Sequence, residues 1–583
     1  MTLMKGSLLK KGLAALAAFA VGVGGLALGA SSANAAEVTL PTDTTVTLTA
    51  TNEDQFLGHT FKAVKVADYA VVSGAASLTT VDAATVREGL AYAGITDVPT
   101  DASVDPLQWA VEKNKLDQSG TGSWLGNGST RKLADYLAGH LTLTAVDDSK
   151  VTKDPAEPNN NLVRKVDLGG TGLWLIVDQA PGTNNASTKA LPILVGTPWT
   201  TAQGLTEDLS NGTVEMKNQL PTVEKTVDDP TPSKGKDVVY TLTSKVPNYV
   251  GYRVKDYTYR LKDTFNGDAP AKINYTGIKS VTIGTTGLKA TDYTVTYYSD
   301  KDATVALADN DATKAQSFRI DFSDYIQRQF TGTVEDDSVF YTGDLVGQAV
   351  TVEYGAHVNA ALGQNGVKNS PVVEYSNKPG EENSSTTPGT NPGPEQKVFN
   401  FPVTLIKTDK TSGDKLNGAE FEVLDVNNKV VASGKTDGTG SDKKPEGKVT
   451  FDGLGATTVT DQDGNKTFSY TYTVKETKAP AGHVLPADAT FKFTISGKIT
   501  GTGAQATVTD LKYAIVQGGG LQSFATMDSA NATITLKNAK NITELPLTGA
   551  AGTTLFTVIG LLLAGAAVTV YTKSRKTRRD LAA

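Results

Sequence analysis

No cysteine occurs in the 583 residues, so no disulfide can staple a domain and no thiolate is available as a nucleophile or metal ligand. Only four histidines are present, His59, His140, His357 and His483, and none is paired at ligand spacing; neither a metal nor a cofactor is expected. Asp461-Gln-Asp463-Gly464-Asn465 opens like a calcium loop, but Tyr472 stands where the closing glutamate belongs, so a hairpin turn at Asp463-Gly464 is expected instead. A basic surplus is also missing. The formal charge is −7, with +3 in the first 35 residues and +4 in residues 555–583, which leaves −14 on the body between them. Such a body repels a polyphosphate backbone, so nucleic acid is not an expected partner. No glycine-rich loop before a helix and no nucleophilic triad stands out, which makes an enzyme acting on an outside substrate the weakest reading.

What is present suits several modest globular domains: 39% apolar residues, 20% charged, 57 Gly and 23 Pro. Residues 1–35 have lysines, then an apolar run from Gly12 to Ala30, then Ala33-Asn34-Ala35, the pattern of a secretory signal cleaved between Ala35 and Ala36. At the far end Leu545-Pro546-Leu547-Thr548-Gly549 precedes a 17-residue apolar run, Leu555 to Tyr571, and a basic tail. In this order the three parts resemble the LPxTG cell-wall sorting signal of Gram-positive surface proteins. That resemblance implies sortase cleavage between Thr548 and Gly549, with the Thr548 carbonyl held as a thioester until an amine takes it.

Between the ends, residues 36–218 mix strands with three helical patterns. Asp105 caps a helix with Pro106 in its first position and Leu107, Ala110 and Val111 on one face; Ser129 is expected to cap a second with Leu133, Tyr136 and Leu137 inward; Val86 and Leu90 mark a third. Residues 219–378 read as short alternating strands of a β-sandwich, 379–396 as a Pro/Gly/Ser/Thr linker, 397–543 as a second β-rich domain, and 544–583 as the sorting signal with its membrane helix. The fold class is mainly β: tandem immunoglobulin-like sandwiches, the first decorated with helices.

Residue parity along strands then picks out polar side chains on apolar faces. Lys407 is in phase with Phe401, Val403 and Leu405; Glu476 with Tyr470, Tyr472 and Val474; Asn538 with Ile534 and Leu536. The middle domain repeats the layout with Lys225, Asp263 and Asn377, though Asn369 shares the parity of Asn377. A lysine and an acid buried together are both pushed toward their neutral forms. A neutral amine can attack an asparagine carboxamide polarised by a protonated acid, expelling ammonia and leaving an isopeptide bond. A buried salt bridge with a hydrogen-bonded amide is the alternative.

Tyr472-Thr-Val-Lys-Glu476-Thr477-Lys-Ala479-Pro480-Ala-Gly482-His483 resembles the E-box of collagen-adhesin B-type domains in pilus subunits, YxxxETxAPxGY, with His483 in place of the last tyrosine. The resemblance implies a Lys407–Asn538 crosslink with Glu476 as the catalytic acid; the middle domain resembles the fimbrial domain that uses an aspartate instead, which implies a Lys225–Asn377 crosslink with Asp263 as the acid. In Thr213-Val-Glu-Met-Lys217-Asn218, parity places Lys217 opposite Val214 and Met216, facing solvent, and its position resembles that of the pilin-motif lysine of sortase-assembled backbones. The family implies a major pilus subunit, not an enzyme, joined head-to-tail from Thr548 to Lys217 of an identical subunit. Its implied partners are pilus-specific and housekeeping sortases, accessory pilins, peptidoglycan and a host receptor or glycan. A monomeric wall-anchored adhesin shares everything except the acceptor lysine.

Overall fold

Short runs of alternating burial build three successive bodies of paired sheets. A computed structural model describes residues 39–541 apart from 73–74, 117–127, 180–186, 200–211, 267–269, 331–337, 382–384, 442 and 463–465. The signal with Ala35 and Ala36, the sorting motif Leu545–Gly549 and the apolar span after it therefore lie outside the described residues. Among the described residues no helix is long and apolar enough to cross a membrane.

In the first body, strand Thr45–Thr49 pairs antiparallel with Val163–Asp167 and parallel with Thr213–Glu215, so the start and end of the domain lie side by side. The second sheet is built on Thr60–Val72 and Leu173–Gln179. Helices Ala83–Tyr92, Pro106–Glu112 and Ser129–His140 bury Val86, Leu90, Leu107, Ala110, Val111, Leu133 and Leu137 in one core, as their spacing predicts. Asp105 caps its helix by accepting from the N–H groups of Leu107 and Gln108. Ser129 does not cap the third helix: Gly128 occupies that position, and the Ser129 hydroxyl donates to the Lys115 carbonyl instead.

The middle body packs the sheet containing Val223–Val227, Asp237–Lys245, Ala349–Val358 and Ile273–Ile283 against the sheet containing Tyr259–Phe265 and Val367–Tyr375. The stretch expected to be a bare linker is partly strand: Gly389–Pro392 and Gln396–Val398 both pair antiparallel with Val367–Tyr375. Open backbone groups along that strand recruit a segment that has almost no apolar side chains of its own. In the last body, Phe401–Asp409 lies between Pro445–Leu454 and Thr533–Asn538, parallel to the latter, facing a sheet built on Glu420–Leu424, Lys466–Lys478 and Thr490–Thr500. Strands Thr457–Thr460 and Lys466–Lys478 pair antiparallel around the expected turn at Asp463-Gly464, which itself lies outside the described residues.

Candidate crosslinking and acceptor sites

Phe401–Asp409 is buried at every second residue, which carries Lys407 inward with Phe401, Val403 and Leu405. Its parallel partner brings Asn538 to the same end, where Asp409 and Asn538 are the last registered pair. Glu476 enters from the facing sheet. Lys407, Glu476 and Asn538 are each no more than 1% exposed. The Lys407 Nζ donates to Glu476 Oε2 at 2.8 Å, and the Asn538 Nδ2 donates to Glu476 Oε1 at 3.3 Å, so one carboxyl group bridges amine and amide. Burial pushes the Lys407 amine down and the Glu476 carboxyl up, each toward the uncharged form. Proton transfer from lysine to glutamate removes two buried charges at once and creates a nucleophile beside a carboxamide.

In the middle body Lys225 and Asp263 have wholly buried side chains and form an ion pair. The Lys225 Nζ also lies over the rings of Tyr240 and Tyr354, 4.8 and 5.4 Å from their centroids. Burial pushes this amine down to about 8. The other Asp263 oxygen accepts from the Tyr275 and Tyr354 hydroxyls at 3.0 and 2.8 Å. The asparagine at this cluster is Asn369, fully buried, whose Nδ2 donates to the Tyr354 Oη at 2.8 Å.

Asn377 is not at the cluster, and the expectation for it is corrected. The register pairs Asp263 with Pro371 and Phe265 with Asn369, so Asn377 lies six residues along from Pro371, roughly 20 Å at strand rise. Its backbone carbonyl accepts from Lys189 N of the first body, and its side chain lies against Gly389. Parity cannot separate two asparagines eight residues apart; only the pairing register can. The tyrosines Tyr275 and Tyr354 were also missed, although Tyr354 is in phase with Val350 and Val352.

Lys217 departs from its expected exposure. The strand ends at Glu215, so alternation does not extend to Met216, Lys217 and Asn218, which are all buried, Lys217 at 8% exposed. The Gln55 side chain donates to the Asn218 carbonyl and side-chain oxygen, Asn218 Nδ2 donates back to Gln55 O, and the Lys217 carbonyl accepts from Leu191 N. The amine is pushed down to about 7 by burial and by the Arg131 cation, against the opposing pull of Asp135 and Glu215. Arg131 and Asp135 themselves pair at 2.6 Å within helix Ser129–His140.

The structure also assembles a serine, histidine and aspartate that are far apart in sequence. His59 Nδ1 lies 2.8 Å from Asp178 and His59 Nε2 lies 2.7 Å from the Ser187 hydroxyl. All three side chains are buried, Ser187 at 0% exposed. The arrangement clamps the segment beginning at Ser187, whose Thr188 and Leu191 N–H groups bond the Gln219 and Lys217 carbonyls. Among the described residues no group of three acidic, histidine or cysteine residues could hold a metal ion.

Comparison with known proteins agrees with this architecture. Residues 401–510 match the family model of the SpaA prealbumin-like fold domain, and residues 537–578 match that of the LPXTG cell wall anchor motif. The chain is 28% identical to the type 1 fimbrial subunit of Actinomyces viscosus over 459 residues, 71% of this chain and 77% of the relative. These matches support a Gram-positive sortase-assembled backbone pilin. A second relative, the type 2 fimbrial subunit of Actinomyces naeslundii, is 25% identical over 435 residues, 70% of each chain. The full-length major pilin SpaD of Corynebacterium diphtheriae superposes with a TM-score of 0.42 at 19% identity, over 86% of this chain and 98% of that one. This pilin is an exported, cell-wall-anchored structural subunit of a surface pilus.

Proposed function

We propose that this backbone pilin stitches itself internally with two isopeptide bonds, Lys407–Asn538 and Lys225–Asn369, promoted by Glu476 and Asp263, and is polymerised through Lys217. The observation that carries the reading is the Glu476 carboxyl group touching both the Lys407 amine and the Asn538 amide in a site closed to water. Lys407 passes a proton to Glu476, the neutral Nζ attacks the Asn538 carboxamide carbon, and the acid's proton goes to the departing nitrogen. One C–N bond forms, one breaks, and ammonia leaves. In the middle body the Tyr354 hydroxyl stands between Asp263 and Asn369, donating to the Asp263 carboxyl group and accepting from Asn369 Nδ2, which holds the amide beside the acid.

A pilus-specific sortase then resolves the Thr548 thioester of one subunit with the Lys217 amine of the next, which builds a covalent head-to-tail polymer. A housekeeping sortase transfers the finished polymer to peptidoglycan; accessory pilins and a host receptor or glycan complete the expected partners. Intact-mass analysis of the purified ectodomain tests the internal bonds, with a loss of about 17 Da per bond expected from the released ammonia. Asn369→Ala is expected to abolish one loss and Asn377→Ala neither; the reverse pattern would return the middle crosslink to Asn377. A ladder of detergent-resistant species that disappears in Lys217→Ala tests the acceptor, and a single wall-linked band in the wild type would overturn polymerisation through this residue.

A further inference from the structure

His483 stands where the E-box resemblance calls for tyrosine, and its surroundings give it a task. The loop after the acid strand Lys466–Lys478 turns back across the end of the crosslink site, where Val484 N donates to the Ala539 carbonyl at 3.0 Å, one residue past Asn538. His483 Nε2 lies 2.9 Å from Asp409 Oδ2, with both side chains 5% exposed or less. Asp409 is the residue paired with Asn538 at the last register position, and Lys410 N donates to the Asn538 carbonyl at 2.8 Å. A single imidazole therefore ties the loop leaving the acid strand to the end of the lysine strand, next to the asparagine strand.

We propose that His483 is a positioning residue for the Lys407–Asn538 crosslink, holding the frayable end of Thr533–Asn538 so that the Asn538 carboxamide stays at Glu476 and Lys407. The proposal rests on the crosslink reading above. A strand end without such a tie opens easily, and Asn538 is the terminal residue of its strand. Small displacements of a reacting carbon are expensive in rate.

The geometry also specifies the protonation state that completes the latch. One ring nitrogen faces the Asp409 carboxylate and the other faces the Ala481 carbonyl at 3.1 Å, and neither partner can donate. Only the imidazolium donates at both positions. The charged groups around it are Asp409 and Lys540, whose Nζ lies 3.2 Å from the same Asp409 oxygen, and Glu476 within electrostatic reach. Loss of the imidazole proton forfeits one of the two hydrogen bonds and loosens the loop. A tyrosine at this position donates through a neutral hydroxyl and has no such step near neutral pH.

The test uses the whole ectodomain, recovered unlinked from inclusion bodies, refolded by dilution and sampled by intact-mass spectrometry. Loss of ammonia is timed for wild type, His483→Ala and His483→Tyr, each in an Asn369→Ala background so that only one crosslink is scored. His483→Ala is expected to slow crosslinking at least tenfold. The ratio of the wild-type rate to the His483→Tyr rate is expected to fall several-fold as the refolding pH is raised from about 5.5 to about 8.5. An Ala variant as fast as wild type, or a ratio constant with pH, overturns the proposal. If His483→Ala does not fold, the wild-type to Tyr ratio decides alone. A wild-type chain that never loses ammonia sinks the crosslink reading itself, a different outcome from a crosslink that forms without regard to residue 483.

Discussion

An amine that must attack a thioester works only when unprotonated, and an ordinary exposed lysine is almost wholly charged at neutral pH. Lys217 is held at about 7 because its burial and the neighbouring Arg131 both disfavour the ammonium form. A substantial share of it is therefore unprotonated at neutral pH. The sign follows directly: acceptor activity rises as pH climbs through about 7 and then levels, whereas an unperturbed lysine would keep gaining nearly tenfold per pH unit well beyond it. Rates of sortase-catalysed transfer to this pilin, divided by those to a free amine acceptor at each pH so that the enzyme's own pH dependence cancels, measure it: the ratio is expected to be level below about 7 and to fall above it. Glu215, whose charge favours the ammonium form, supplies a mild handle: Glu215→Gln is expected to move the plateau to lower pH. A profile for Lys217 parallel to that of the free amine would show that burial and Arg131 do not tune it.

At the scale of strands, each crosslink trio draws its lysine from the first strand of its body and its acid from the facing sheet, with the asparagine on a late strand, so its formation reports completed sandwich assembly. The link also closes a long loop. By analogy with disulfide loop closure, losing the Lys407–Asn538 bond removes about 5 kcal/mol of constraint on the unfolded chain, which corresponds to a fall of roughly 10–20 °C in the melting temperature of the last body. Glu476→Ala is expected to show that fall together with the full translated mass of the variant, no ammonia lost from this body; calorimetry of the two proteins checks it. Glu476→Ala also removes the partner of a buried lysine, so the comparison belongs with Lys407→Met, which leaves no buried charge behind. Equal melting temperatures for Lys407→Met and wild type would mean that the bond adds no stability.

Much of this was legible in the sequence because strands enforce a period of two. Lys407, Glu476, Asn538, Lys225 and Asp263 all occupy the inward faces that parity assigns, and the helices at Asp82, Asp105 and Gly128 bury the residues their spacing marks except Tyr136, which is only half-buried and donates its hydroxyl to Glu88. The failures share a cause. Parity counts residues from a strand that must first exist, so it misplaced Lys217, two residues beyond the end of Thr213–Glu215, and it cannot choose between Asn369 and Asn377. The Asp178–His59–Ser187 clamp and the His483–Asp409 latch join residues over separations that only the folded topology closes, and the strands within 379–396 form because a neighbour offers unpaired backbone groups.

Across the whole molecule the bodies are joined through backbone contacts rather than a bare tether. Gln219 exchanges two hydrogen bonds with the Asn248 backbone at the first joint. At the second, Lys234 N donates to Gly453 O at 2.7 Å and Thr231 Oγ1 donates to Ala456 O at 2.9 Å. The approach there is so close that a Cβ on Gly455 would lie 2.4 Å from Ser233 N. A pull applied between the Lys217 amine and the C-terminus runs from Asn218 through both later bodies and leaves the first one aside. With both isopeptide bonds in place, the chain between Lys225 and Asn369 and between Lys407 and Asn538 is shielded, because tension crosses each body through the covalent link. Single-molecule pulling with this attachment geometry is therefore expected to show no stepwise unfolding of either body in the wild type. Lys407→Met should release one step of roughly 45 nm and Lys225→Met one of roughly 50 nm, the lengths of the newly exposed segments at about 3.5 Å per residue. Steps of that size in the wild type would mean that the load does not pass through the crosslinks, whatever the intact mass shows.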